Sequence, residues 1–378
     1  MKRRSNDGLV CTKLIKAGTL TLVPLKAPGL YYICFGGLIA PARDFIGKGA
    51  YVNTQGGRYG NALQAASERG HHEIVKLLLD KGADVNAQGG EYGNALQAAS
   101  ERGHHEIVKL LLNMGSDINA QGGYYGNALQ AASESGHQEI VKLLLNMGSD
   151  INAEGGYYGT ALKAASFGGH QATVKLLLDK GAYVNTQGGE YGNALQAASE
   201  CGHHEIVKLL LGNAANVNAQ GGKYGNALQA ASKSGYHENV RLLLEKGADI
   251  NAQGGEYGNA LQAASECGHQ MIVKLLLEKG ADTNAQGGRY SSALQAASKG
   301  GHQEIVKLLL DNGADVNAQG GRCGNAWYAA SLGGYHEIVR LLHRRLAFTL
   351  SSKRSVSRTA RTLAEKRRPM GSEPSNQT

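Results

Sequence analysis

The sequence predicts an all-α fold: a solenoid of stacked helix-turn-helix units joined by β-turn or hairpin fingers. Three observations carry that expectation. The segment GNALQAAS recurs with its Asn at 61, 94, 127, 193, 226 and 259, Asn325 opens the variant GNAWYAAS, and Thr160 and Ser292 fill the same place in two more copies. Nine units therefore follow one another at a fixed step of 33 residues, the mark of a repeat architecture. Within a unit, two short apolar runs have helical spacing and are separated by glycine. Glycine makes up 54 of 378 residues and proline only 5, at 24, 28, 41, 369 and 374. The long middle is thus glycine-rich and proline-free, which excludes collagen and proline-rich linkers. With 4 Phe and 1 Trp, the chain is not built around one large aromatic core.

The elements follow in order. Residues 1–27 form a basic N-terminal segment, read as poorly ordered. Residues 28–57 form a degenerate first unit, whose tail FIGKGAYVNTQGG matches that of the later copies. Residues 58–346 hold the nine regular units, and 347–378 a basic, disordered tail. In the unit that starts at Asn61, this Asn is placed to cap a helix, with Gln64 completing a capping-box-like pattern. Ala62, Ala65 and Ala66 with Leu63 make a short helix of small residues, and Gly70 ends it. A second helix runs near His72 to Lys81. Its Ile74, Val75, Leu77, Leu78 and Leu79 are apolar nearly all round, so cover on more than one side is expected. GADVNAQGGEYG then reads as a turn-rich finger. A helix pair of this size cannot bury its apolar surface alone, whereas stacking on copies of itself can.

These features resemble ankyrin repeats. The run GHxEIVKLLLxxGADVNA is similar to the family pattern nearly residue for residue. The start of the first helix departs from it: the family's TPLH reads NALQ here, and the finger reads GGxYG. The variant resembles the arrays of filamentous fungi, often attached to NACHT-type proteins. The resemblance implies protein binding without catalysis. It also implies that the finger tips and the ends of the first helices line a concave, ligand-binding groove.

The ends look different from the middle. The last unit reads EIVRLLHRRLAF, with His343, Arg344 and Arg345 making a polar outer helix of the kind a terminal cap needs, and Trp327 replaces a core leucine. The formal net charge of +8 sits in the flanks. Residues 1–27 hold six Lys/Arg against one Asp, and residues 347–378 seven Lys/Arg against two Glu. Nucleic-acid binding is therefore conceivable for the flanks and not expected of the array. Lys353 and Arg354 are followed at a distance by Lys366, Arg367 and Arg368, a spacing that resembles a bipartite nuclear-import signal. Five scattered cysteines without a CxxC neighbour suggest free thiols and a reducing, intracellular setting, cytoplasmic or nuclear. The apolar stretch from Ala27 to Ala42 is too short to span a bilayer, so no membrane is expected.

No catalytic or metal-binding motif stands out, and no enzyme, cofactor or small-molecule substrate is expected. The paired histidines, such as His71–His72, recur with the repeat, so a structural loop contact is expected of the first of each pair. Function is left to positions that vary between copies. These are the residue between GG and YG, and the two residues that lie second and first before the loop glycine, in first-helix order. Candidate partner-binding residues are Glu91, Tyr124, Tyr157, Lys163, Phe167, Glu190, Lys223, Glu101, Glu134, Glu200 and Lys233. The first units are acidic there, the middle aromatic and the last basic. The finger tyrosines Tyr59 through Tyr290 are expected to pack on one another. Alanine at Tyr124, Tyr157 and Phe167 together is expected to weaken binding and leave unfolding nearly unchanged. The leading reading is a scaffold that holds an unknown protein partner. The alternatives are the recognition half of a larger NACHT-type signalling protein, and a nuclear regulator using its basic tail.

Overall fold

The computed structural model describes residues 28–347. The import-like residues Lys353 to Arg368 and the basic N-terminal segment lie outside them. The chain divides into two compact units, one up to Asp249 and the other from Ile250. The first unit opens with a helix pair, Gly29–Phe35 and Ile39–Gly47. Six regular pairs follow, from Ala62–Arg69 with His72–Asp80 to Ala227–Ser234 with His237–Glu245. The second unit holds Ala260–Cys267 with Gln270–Glu278, Ala293–Gly300 with Gln303–Asp311, and Ala326–Leu332 with a helix over 336–347. Inside each unit, the first helix of every pair packs on the first helix of the next. Among the described residues, no helix is long and apolar enough to cross a membrane.

The local chemistry explains why each copy folds alike. At the pair starting with Ala95–Arg102, the Asn94 side chain accepts from Gln97 N at 2.9 Å and Asn94 N donates to Gln97 Oε1 at 3.0 Å. This reciprocal cap recurs at Asn127, Asn193, Asn226 and Asn259. A cap of this type contributes about 1 kcal/mol. Alanine at Ala98 and Ala99 lets neighbouring first helices approach closely, and both are fully buried. In the second helix, Ile107, Val108 and Leu111 are buried, whereas Leu110 is only half-buried. The second helices are thus covered on one broad side, less than their all-round apolar sequence suggests.

Three side-chain ladders tie one repeat to the next. The first-row histidines contact the preceding repeat: His104 Nε2 lies 3.0 Å from the Glu68 carbonyl and His137 Nε2 2.9 Å from that of Glu101. The same bond joins His203 to Phe167 and His302 to Glu266. At the finger bases, Asn86 Oδ1 accepts from Asp117 N at 2.7 Å while its amide donates to Gly115 O at 3.1 Å. The third ladder is aromatic: Phe35, Tyr59, Tyr92, Tyr125, Tyr158 and Tyr191 stack in sequence at 5.5–6.4 Å between ring centroids. The fingers themselves are tighter than hairpins. Among the described residues they contain only isolated bridges, such as Gly89 to Gly93.

The last repeat differs from the cap expected of it. The polar second helix is present, and Arg345 reaches back to Leu310 O and Asp311, both at 2.8 Å. Yet the preceding first helix leaves Trp327, Tyr328 and Leu332 exposed, as no further first helix packs on it among the described residues. Trp327, the chain's single tryptophan, is 48% exposed. Acrylamide should therefore quench native tryptophan fluorescence almost as readily as that of the unfolded chain. Strong native protection would show that this face is covered in solution.

Candidate partner-binding face

The finger tips and the C-terminal ends of the first helices form one surface in each unit, and the variable positions fall on it. Adjacent tips are joined by backbone: Glu91 N donates to Arg58 O, Tyr124 N to Glu91 O and Tyr157 N to Tyr124 O, at 2.9–3.1 Å. Side chains between GG and YG are thereby held one repeat apart along a row. The row behind it is acidic. Glu101 is half-buried, pairs with Arg102 Nε at 2.8 Å and accepts from Tyr125 Oη at 3.4 Å. Glu134 accepts from Tyr158 Oη at 3.3 Å. Burial raises the pKa of the Glu101 and Glu200 carboxyls above the usual glutamate range.

The aromatic middle does come together. Tyr124 is 43% exposed and stacks on Tyr157 at 4.9 Å. Tyr157 meets Tyr191 edge-on at 5.7 Å, with the two hydroxyls 3.2 Å apart. Phe167 wedges between Tyr158 and Tyr191, at 5.2 and 4.7 Å. Glu190 stands exposed on the next tip. On either side the tips are already charge-matched. Glu91 pairs with Arg58, and Lys223 and Lys233 lie 5.5 and 5.2 Å from the Tyr224 ring centroid.

Two expectations need correction. Lys163 was expected on the binding surface, but it is only 2% exposed. It occupies the N3 position of its helix, and its Nζ donates to Gly188 O at 3.0 Å beneath the finger. A side chain entering there is walled off by its own finger and cannot meet a partner. The second correction concerns the triple alanine change. Phe167 is half-buried and braces two rings of the aromatic ladder, so its loss should cost about 1–2 kcal/mol of stability.

Sequence reasoning saw the N3 glutamine only as a cap, and missed its larger task. Gln97 Nε2 reaches the carbonyls of Ala120, Gly122 and Gly126, at 3.1, 3.3 and 2.8 Å. One buried amide thus fastens the whole following finger to its helix. The signal was available: a polar residue repeated in seven of nine copies at a position between apolar neighbours. Lys163 makes one such bond, and the finger above it lacks the glycine bridge seen in its neighbours.

Lys163→Gln should therefore stabilise the chain by about 1–2 kcal/mol at neutral pH. Burial lowers the Lys163 pKa, so between its folded and unfolded values the unfolded chain holds more protons. The lysine's penalty then shrinks as pH rises through that window. Urea unfolding from pH 7 upward should show the two proteins converging; parallel curves would contradict it.

Other chemistry on this face is limited. Burial pushes the Cys201 thiol up to about 12, which leaves it protonated and unreactive at neutral pH. Among the described residues no cluster of three or more His, Cys, Asp or Glu is arranged to hold a metal ion.

Comparison with known proteins agrees with this architecture. A protein of Monascus ruber named "Azaphilone pigments biosynthesis cluster protein L" is 52% identical over 57 residues. That match covers 13% of this chain and 12% of the relative, so the chain spans only a small part of it. A family model described as "Ankyrin repeats (3 copies)" matches residues 30–122, 123–188, 186–254 and 260–347. These matches run through nearly all the described residues and fall on the stacked helix pairs, and the chain belongs to the ankyrin-repeat family.

Proposed function

We propose that this protein is a non-enzymatic scaffold, and that a partner protein docks on the finger face of repeats three to five. Ankyrin repeats are in general protein–protein interaction modules. The observation that carries the specific reading is the Tyr124–Tyr157 stack, with Tyr124 exposed and Tyr157 half-buried and Glu190 exposed on the next tip, set in an array whose other surfaces repeat. Aromatic anchors with a charged surround are typical of binding hot spots. The test is affinity purification with the full chain as bait, read by quantitative mass spectrometry. A protein lost from the Tyr124→Ala/Glu190→Ala double variant, and retained by Lys109→Ala on the second-helix side, supports the reading. Equal capture by both variants rejects it.

A second reading rests on the basic pair Lys353–Arg354 and the basic triplet Lys366, Arg367 and Arg368. Replacing Lys366, Arg367 and Arg368 by Ala in a fluorescent fusion should abolish nuclear accumulation; unchanged distribution dismisses this role.

A further inference from the structure

Outside repeats three to five, the array supplies its own cations to its aromatic face. Arg69 lies 5.0 Å from the Phe35 ring centroid and Arg58 5.5 Å from that of Tyr59. Arg102 Nη2 donates to the Tyr92 hydroxyl at 3.0 Å. Lys223 and Lys233 flank Tyr224. In the second unit Arg289 lies 5.0 and 5.1 Å from Tyr257 and Tyr290, and the same guanidinium pairs with Glu256 and Glu266. Where the cation is an arginine the arrangement recurs: a guanidinium against an aromatic side chain, paired with a tip or helix-end glutamate.

In repeats three to five the rings and carboxylates are kept and the cation is gone. The variable positions there hold Tyr124, Glu134, Tyr157, Phe167, Glu190 and Glu200, with no Lys or Arg. Among the described residues, none stands over the rings of Tyr124, Tyr157, Tyr158, Phe167 or Tyr191, and none forms an ion pair with Glu134 or Glu190. The one lysine on the first helix, Lys163, is buried beneath its finger. The face therefore combines π-density with the carboxylates of Glu134 and Glu190, which form no ion pair among the described residues, and Tyr124 and Glu190 are both open to solvent.

We propose that the partner supplies this cation as an arginine on an extended segment, seated against Tyr124 and Tyr157 with its protons on Glu190 or Glu134. Arginine fits better than lysine. Its plane lies flat on a ring while its edge still donates to a carboxylate, and it sheds water more easily. Cation–π attraction strengthens when the pair is desolvated, as it would be under a bound chain. Arg289 already does this intramolecularly within the second unit, lying over two tyrosines while pairing with two glutamates.

The inference rests on the finger-face reading above, and the test separates the two. A photo-crosslinking phenylalanine analogue is placed at position 124 or 157 of the full chain, in cells that express it. The attachment point on the captured protein is then mapped. The expected result is a segment with an arginine within reach. Replacing that arginine by Ala should weaken binding tenfold or more, and by Lys at least threefold. On the array side Tyr124→Phe should hold affinity within twofold, while Tyr124→Leu, which keeps bulk but not the ring, should lose tenfold. Glu190→Gln should weaken binding and flatten its salt dependence. A crosslinked segment without arginine or lysine keeps the docking face and overturns the arginine. A crosslink to a second copy of this chain, or none at 124 and 157 while other tips react, overturns both.

Discussion

Gln97→Ala is expected to destabilise the array by about 3 kcal/mol, a large loss for one exposed-loop anchor. The side chain makes four hydrogen bonds: one accepted from Asn94 N and three donated to the finger carbonyls. Each contributes about 1 kcal/mol net, and water entering the finger restores part of the total. Within the finger, Gly122 and Gly126 are joined only by an isolated bridge, and its other ties run to neighbouring repeats. In a quasi-one-dimensional array such a break weakens the neighbouring interface as well. Denaturant unfolding should show the loss as a lower midpoint at similar slope. Native-state hydrogen exchange should place it in residues 114–127 first. A loss below about 1 kcal/mol would mean that the finger is held by its neighbours and not by the amide.

Much of this was written in the sequence because repetition makes a chain its own control. The 33-residue step, the Asn caps and the glycine stops fix both helices of each pair, since they depend on near neighbours only. The structural role of His104 and His137 was legible for the same reason: a ligand would not recur at every loop. The tyrosine ladder was also foreseen, from eight identical finger positions, and the stack is seen for five of them, Tyr59 to Tyr191. What escaped was contact between residues far apart in the unit. Gln97 meets carbonyls 23, 25 and 29 residues later; its repetition between apolar neighbours signals burial but does not name those partners. Lys163 was misplaced by the same blindness. Its charge suggested the surface, but its position is that of the buried glutamine, and position decided. At the candidate face, variation between copies located Tyr124, Tyr157 and Glu190. It did not reveal that the neighbouring repeats neutralise their own rings, which needed distances.

A pair of glycine substitutions separates backbone strain from packing between repeats. Gly103 and Gly115 both have left-handed backbones, with φ of 77° and 86°. An added methyl at Gly115 meets nothing within 4 Å, whereas at Gly103 it would lie 2.5 Å from the His137 ring. Gly115→Ala should therefore cost only the conformational penalty, about 1 kcal/mol. Gly103→Ala carries the same penalty and must also displace His137, whose Nε2 bonds the Glu101 carbonyl at 2.9 Å. Burial lowers the His137 pKa, so at pH 7 the ring is neutral and has one N–H to give. Losing that bond and the packing beneath it should bring the total to about 3 kcal/mol. If the excess comes from the ring, it disappears once the ring is gone. In a His137→Ala background Gly103→Ala should cost no more than Gly115→Ala does in the native chain. Costs that simply add in the double variant would show that the loop glycine serves its own turn, and that the histidine ladder does not couple one repeat to the next.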